Sequence, residues 1–256
     1  MRIALKFAYD GQKFAGYARQ PNRKTVEGEL LNTLITHGFI DDAKTSCFRS
    51  ASRTDKGVSA LGNVVAVNTD ASKEQMIQEL QEKIPNIFIY GIQNVDLDFY
   101  PRYAKLRIYR YYLENKGFVV DDVLSAADVF TGEHNFKNFA RVEEGKNPLR
   151  TIDAIVVSEE NKFLVFDFYA QNYLWNQIRR LMSAIEKVGL KKLNKKHLSD
   201  ALNNPEKKVD FGLSPAEPLI LKDIVYDFAF EYNKNTGHLL CDFERTIVSS
   251  LSSEKQ

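Results

Sequence analysis

Ser52-Arg53-Thr54-Asp55-Lys56-Gly57-Val58-Ser59-Ala60-Leu61-Gly62-Asn63-Val64-Val65-Ala66-Val67-Asn68 runs from a charged turn into a valine-rich strand. The turn carries one carboxylate, Asp55, between the guanidinium of Arg53 and the ammonium of Lys56. Nearby cations favour the ionised form of such an Asp. A fixed carboxylate among basic neighbours suits nucleophilic or base chemistry on a polyanion. The plainer alternative is an Asp that serves only its β-turn, through local hydrogen bonds.

Outward from that turn, the chain alternates strands and helices. Ile3, Leu5, Phe7 and Tyr9 alternate along residues 2–9 and predict a strand with one apolar face, turned at Asp10-Gly11. Thr25 is a candidate N-cap for a helix using Val26, Leu30 and Leu34, which Gly38 can end. A short strand is expected at Ser46–Ser50 and another at Val64–Asn68. Ser72 and Gln75 form a capping-box pattern before a helix carrying Met76, Leu80 and Ile84, stopped at Pro85. With a strand over Ile87–Val95, the first hundred residues read βαββαβ, an α+β layer.

The polar stretch Asp96–Pro101 predicts a boundary between an N-terminal domain, residues 1–100, and a C-terminal domain, 101–248, with a flexible tail at 249–256. In the second part, Lys105–Glu114 reads as a strand and Ser125–Thr131 as a short helix. Thr151–Ser158 and Phe163–Ala170 read as paired strands. Tyr173–Val188 is an apolar-striped helix using Leu174, Ile178, Leu181, Met182, Ile185 and Val188. Asn194 caps a further helix, and Leu219–Tyr232 and His238–Glu244 are expected as the last strands. The outline of the first half recurs, without a sequence repeat.

The chain has 256 residues, enough for one large core or two smaller ones. Its 44% hydrophobic and 27% charged residues are those of a soluble globular protein. It has no apolar run of bilayer length and no signal-like start, so a soluble, cytoplasmic protein without a membrane partner is expected. Two cysteines and four histidines lie scattered without ligand spacing, so no metal is expected. Net charge is only +1, but basic residues gather at Arg19/Arg23/Lys24, Arg49/Arg53/Lys56, Arg102/Lys105/Arg107/Arg110 and Arg179/Arg180. A basic face of that kind can hold a phosphate backbone even on a neutral protein. The dense Lys191–Lys196 cluster reads as a solvated connection.

Four segments, in order, resemble the TruA family of tRNA pseudouridine synthases. They are Tyr9-Asp10-Gly11 with Phe14, Gly16-Tyr17 and Arg19-Gln20; Arg53 to Ala60; Arg102 with Arg107-Ile108-Tyr109-Arg110-Tyr111; and Tyr173-Leu174-Trp175-Asn176-Gln177-Ile178-Arg179-Arg180 running to Gly189. The resemblance spans nearly the whole chain. It implies two ferredoxin-like α+β domains whose antiparallel sheets join into one continuous sheet, with helices packed on it and an active-site cleft between the domains. It further implies a homodimer acting on tRNA with neither metal nor organic cofactor. Asp55 matches the catalytic aspartate, Tyr109 the tyrosine packing on the target base, and Arg179 the arginine pairing with the aspartate. Arg53 matches the arginine that helps empty the RNA stack, and Arg19, Lys56, Arg102 and Arg110 are further RNA-binding candidates. Lys56 stands where Ala is usual and Ser59 where His is usual, nearer the archaeal and eukaryotic branch. The family's habit points to the anticodon stem-loop (tRNA positions 38–40).

The reaction so implied breaks the N1–C1′ bond of a uridine, turns the base and rejoins it through C5. A stacked uridine must first leave its helix, at about a few kcal/mol. Stacking on an aromatic face offsets about 1–3 kcal/mol per base. Strand alternation puts Tyr109 and Tyr111 on one side of Arg107–Leu113, so Tyr109 can present its ring and hydroxyl. Dehydration disfavours a charged carboxylate, and a guanidinium answers this with paired hydrogen bonds. Helical spacing puts Arg179 and Arg180 on opposite flanks of the apolar stripe and does not choose between them; the family register favours Arg179. Attack of Asp55 at C1′, attack at C6 and removal of the C2′ proton all ask for the same positioned carboxylate. Two rival functions share these residues: an RNA-binding module without catalysis, and a phosphotransferase using Asp55 as phospho-acceptor. The second lacks a P-loop pattern and an acidic cluster for Mg²⁺.

Overall fold

The computed structural model describes residues 1–80, 84–232 and 236–253. The chain divides into two compact units, Met1–Lys105 together with Ile220–Gln256, and Leu106–Leu219. In chain order the elements are β1 (Arg2–Tyr9), α1 (Val26–Thr36), β2 (Arg49–Ser50), β3 (Ser59–Asn68), α2 (Lys73–Leu80), β4 (Ile87–Val95) and β5 (Leu106–Glu114). Then come α3 (Val120–Asp128), β6 (Gly132–Asn135), β7 (Leu149–Ile152), β8 (Ala154–Glu160), β9 (Phe163–Ala170), α4 (Gln177–Gly189) and α5 (Lys195–Asn203). The last are β10 (Leu219–Val225), β11 (Glu231–Tyr232) and α6 (Thr236–Ser253). Both units are α+β, as the sequence pattern predicts. Among the described residues no helix is long and apolar enough to cross a membrane.

In the first unit β1 pairs antiparallel with β3 on one side and β4 on the other. Every residue of β1 is also buried, including Arg2 and Lys6 on the face expected to be polar. Arg2 donates to the carbonyls of Phe99 and Cys47 and to Asn68 Oδ1. Lys6 pairs with Asp223 and lies 5.3 Å from the Phe230 ring centroid. The Thr25 hydroxyl caps α1 through Gly28 N–H, and Val26, Leu30 and Leu34 are buried as their spacing predicts. Ser72 accepts from Gln75 N–H at the start of α2. The Leu80–Ile84 part of the expected helix falls partly on residues outside those described.

The division of the chain corrects the expected 1–100 and 101–248 domains. Ile220 and Leu221 of β10 pair in parallel with Ser59 and Ala60 of β3, and β11 pairs with β4. These ladders return residues 220–256 to the first unit, and they add one parallel pair to a sheet expected to be antiparallel. His238–Glu244, read as a strand, belongs to α6, which also continues through most of the expected tail, to Ser253. Leu240, Phe243, Ile247 and Leu251 recur every three to four residues, a helical period that overrides the local apolar run.

The second unit centres on β9, antiparallel to β5 and to β8, with a separate β6–β7 pair. Its core gathers Phe130, Phe136, Phe139, Phe166 and Phe168, all fully buried. The expected helix at Ser125–Thr131 starts earlier, at Val120, and ends at Asp128. Asn194 caps α5 through His197 N–H, as its position predicts.

Candidate active site

Asp55 sits at the first position of a tight turn whose closing bond runs from Val58 N–H to the Asp55 carbonyl, 3.2 Å. Gly57, third in the turn, has φ +88°, a conformation that only glycine adopts readily. The half-exposed Asp55 side chain is thus carried at the mouth of β3, whose hydrogen bonds begin at Ser59. The turn is braced from the N-terminal block. Tyr17 N–H donates to the Thr54 carbonyl, and the hydroxyls of Tyr9 and Thr54 share a 2.8 Å hydrogen bond. Fully buried Asn63 donates to the Ser52 carbonyl, closing the N-terminal side.

Gly11 and Ser59 lock the other side. Gly11 N–H donates to the Ser59 hydroxyl at 3.0 Å, and Ser59 is fully buried. A Cβ on Gly11 would lie 2.1 Å from the Val58 carbonyl oxygen, so no other residue fits without moving the turn. Burial pushes the Tyr17 phenol well above its ordinary pKa, and its hydroxyl donates to Ser50. The residues of the Tyr9–Gln20 block therefore act as a cradle for residues 52–59. Of the proposed RNA contacts on this unit, Arg19, Arg53, Lys56 and Arg102 are all exposed. Arg19 also lies near Glu27 of α1, with Nε 3.8 Å from Oε2.

On the second unit, Tyr109 is half-buried on β5 and meets Tyr173 edge-on, with centroids 5.3 Å apart and planes at 88°. Burial raises the Tyr173 phenol pKa well above its ordinary value, and its hydroxyl donates to the Arg107 carbonyl. Tyr111 and Tyr112 are buried packing residues. Arg107 is buried too, donating to the Gln171 carbonyl, so it leaves the basic face. Arg110, read as RNA-binding, lies opposite Asp167 of β9 and grips it with two bonds, Nε–Oδ1 2.8 Å and Nη2–Oδ2 2.7 Å. That fork ties two strands together.

Asn176, in the left-handed region with φ +60°, turns the chain into α4 and sets the register of the two arginines that follow. Arg179 is braced by Nε donating to the Ser214 carbonyl at 2.8 Å, while Ser214 N–H returns a bond to the Arg179 carbonyl. Arg180 points elsewhere, to Asp210 at 3.0 Å. Asp210 is held below its usual pKa by the Gly212 N–H first and by Arg180 beside it. The two arginines that spacing left equivalent are thus distinguished by their partners. The braces supplied by Asn63 and Ser214 escaped the sequence reading. Asn63 carried a signal, an amide at the head of a valine run; Ser214 carried none. Among the described residues no group of three or more His, Cys, Asp or Glu side chains is placed to hold a metal ion.

The sequence model of a family described as tRNA pseudouridine synthase matches residues 126–227. A protein from Thermococcus sibiricus named tRNA pseudouridine synthase A is 43% identical over 230 residues, 89% of this chain and 85% of that one. Proteins of the same name are 40% identical from Pyrococcus abyssi, over 89% of this chain and 85% of that one, and 38% identical from Pyrococcus furiosus, over 97% and 91%. Identity at this level along almost the full length, with the Asp55 turn and the Arg179 helix inside it, means that the chain belongs to the TruA family of tRNA pseudouridine synthases, which are isomerases.

Proposed function

We propose that the protein converts uridine to pseudouridine in the anticodon stem-loop of tRNA, with Asp55 as the catalytic carboxylate. The observation that carries this reading is the braced Asp55 turn. Hydrogen bonds from Tyr9, Gly11, Tyr17, Asn63 and Ser59 hold the loop, so the residue that bears the carboxylate is set at the mouth of a strand. Preorganised groups accelerate reactions because they need no reorganisation at the moment of charge development. The names of the relatives support tRNA as substrate, and the exposed Arg19, Arg53, Lys56 and Arg102 are suited to a phosphate backbone.

In this account the extruded uridine stacks on Tyr109, whose orientation Tyr173 holds. Asp55 acts on the nucleoside as the N1–C1′ bond breaks. The base turns, C5 bonds to C1′, and the hydrogen on C5 is lost while N1 gains one from solvent, with the Tyr109 hydroxyl relaying the C5 proton by passing its own to water as it takes that one up. Atoms and electrons balance within the nucleoside and solvent protons, so no added cofactor enters. The family resemblance gives Arg179, which is braced on Ser214, the role of partner to the catalytic carboxylate. The family resemblance supports a cytoplasmic homodimer as the acting species. Incubation of the purified protein with unmodified tRNA in cofactor-free buffer, followed by mapping, tests the assignment. Pseudouridine confined to the anticodon stem-loop is the expected result; its absence, or its appearance only in other arms, contradicts it.

A further inference from the structure

Trp175 is 45% exposed, although a large aromatic ring is costly to leave in water. The exposed Arg141 lies over it, with the guanidinium carbon 4.1 Å from the ring centroid. Arg141 N–H donates to the Trp175 carbonyl at 2.8 Å, and the two residues form an isolated antiparallel bridge. Backbone and side chains together therefore hold a flat, cationic, half-open surface. The same short segment carries Tyr173, which braces Tyr109, two residues earlier, and Arg179 four residues later. The turn at Asn176 separates the outward indole from the helix.

We propose that Arg141 and Trp175 form a stacking platform for a nucleobase next to the target uridine in the RNA strand. Unstacked bases of single-stranded RNA are taken up on aromatic faces and guanidinium planes, and a cation–π pair offers both at once. Trp175 lies two residues beyond Tyr173, which packs edge-on against Tyr109, so the platform is tied to the tyrosine assigned to the target base. Trp175 is thus a positioning residue: it holds the strand while chemistry occurs elsewhere. This inference rests on the tRNA-modifying reading above.

Trp175 is the only tryptophan of the chain, so intrinsic emission reports on it directly. Titration of Asp55→Asn protein with unmodified tRNA is expected to quench that emission saturably and to protect it from acrylamide. Trp175→Ala is expected to raise KM for tRNA about tenfold, the effect of losing one stacked base, with a smaller change in kcat. Trp175→Phe keeps a stacking face and should restore most of the loss, and Arg141→Ala should resemble the milder variant. Unchanged emission at tRNA concentrations that filter retention shows to be saturating would overturn the proposal. A wild-type KM in Trp175→Ala would overturn it too. So would an emission change driven by protein concentration alone, which would make the pair an interface between copies. If the protein forms no pseudouridine, the tRNA-modifying reading fails by itself, while the emission titration still decides whether RNA stacks on Trp175.

Discussion

Gly11, Gly57 and Ser59 bear on the site as much as Asp55 does, because they hold the backbone that carries its carboxylate. The Gly11→Ala methyl would meet the Val58 carbonyl at 2.1 Å, and the Val58 backbone must give way. A stability loss of about 1–3 kcal/mol is expected in urea unfolding. The single-turnover rate should fall about a hundredfold, as it does when reacting groups are misplaced by an ångström. A wild-type rate in that variant would mean that the turn is not a rigid platform. The charged turn and its strand were legible in sequence because glycine, flanking cations and valines each have a local meaning. The bracing by Ser214 was not, because it joins residues distant in the chain. Ser59, buried and bonded to Gly11 N–H, has a structural role here.

At the scale of elements, β5 and β9 are tied by the Arg110–Asp167 fork, whose side chains are only 15% and 13% exposed. Replacing Asp167 by Asn leaves a charged guanidinium short of its partner in a dry site. The expected cost is about 3 kcal/mol in chemical unfolding. Joint replacement of Arg110 by Met and Asp167 by Leu should recover most of it. A loss below about 0.5 kcal/mol in the single variant, the scale of an exposed pair, would contradict the assignment. The sequence signal for this tie was Asp167, a lone acid in the apolar run Phe163–Ala170. The helix α6 was misread for a related reason: seven residues show too little of a period to separate a strand from a helix. Over eighteen residues, with Ile247 buried, the helical repeat is unmistakable.

Across the molecule, the return of residues 220–256 to the first unit could not be read from composition, since no linker marks it. The parallel Ile220–Leu221 ladder with Ser59–Ala60 is a long-range pairing. It also joins the base of the Asp55 turn to the last third of the chain. Burial in both units raises the pKa of Tyr17, Tyr90, Tyr111 and Tyr173 above the ordinary 10.0. The folded state therefore holds protons that the unfolded chain gives up above pH 10. Stability from these groups is complete below that pH and is lost as pH rises toward the folded values. Melting temperature should fall steeply from pH 10 upward, and less steeply in Tyr90→Phe; a flat profile would count against the burial. Release of the C5 hydrogen shows whether Asp55 does the chemistry of uridine isomerisation in tRNA. With tRNA tritiated at C5 of uridine, in cofactor-free buffer, wild-type protein should release label stoichiometrically in a single turnover. Asp55→Asn should bind the same tRNA and release none, and equal release from that variant would contradict the account.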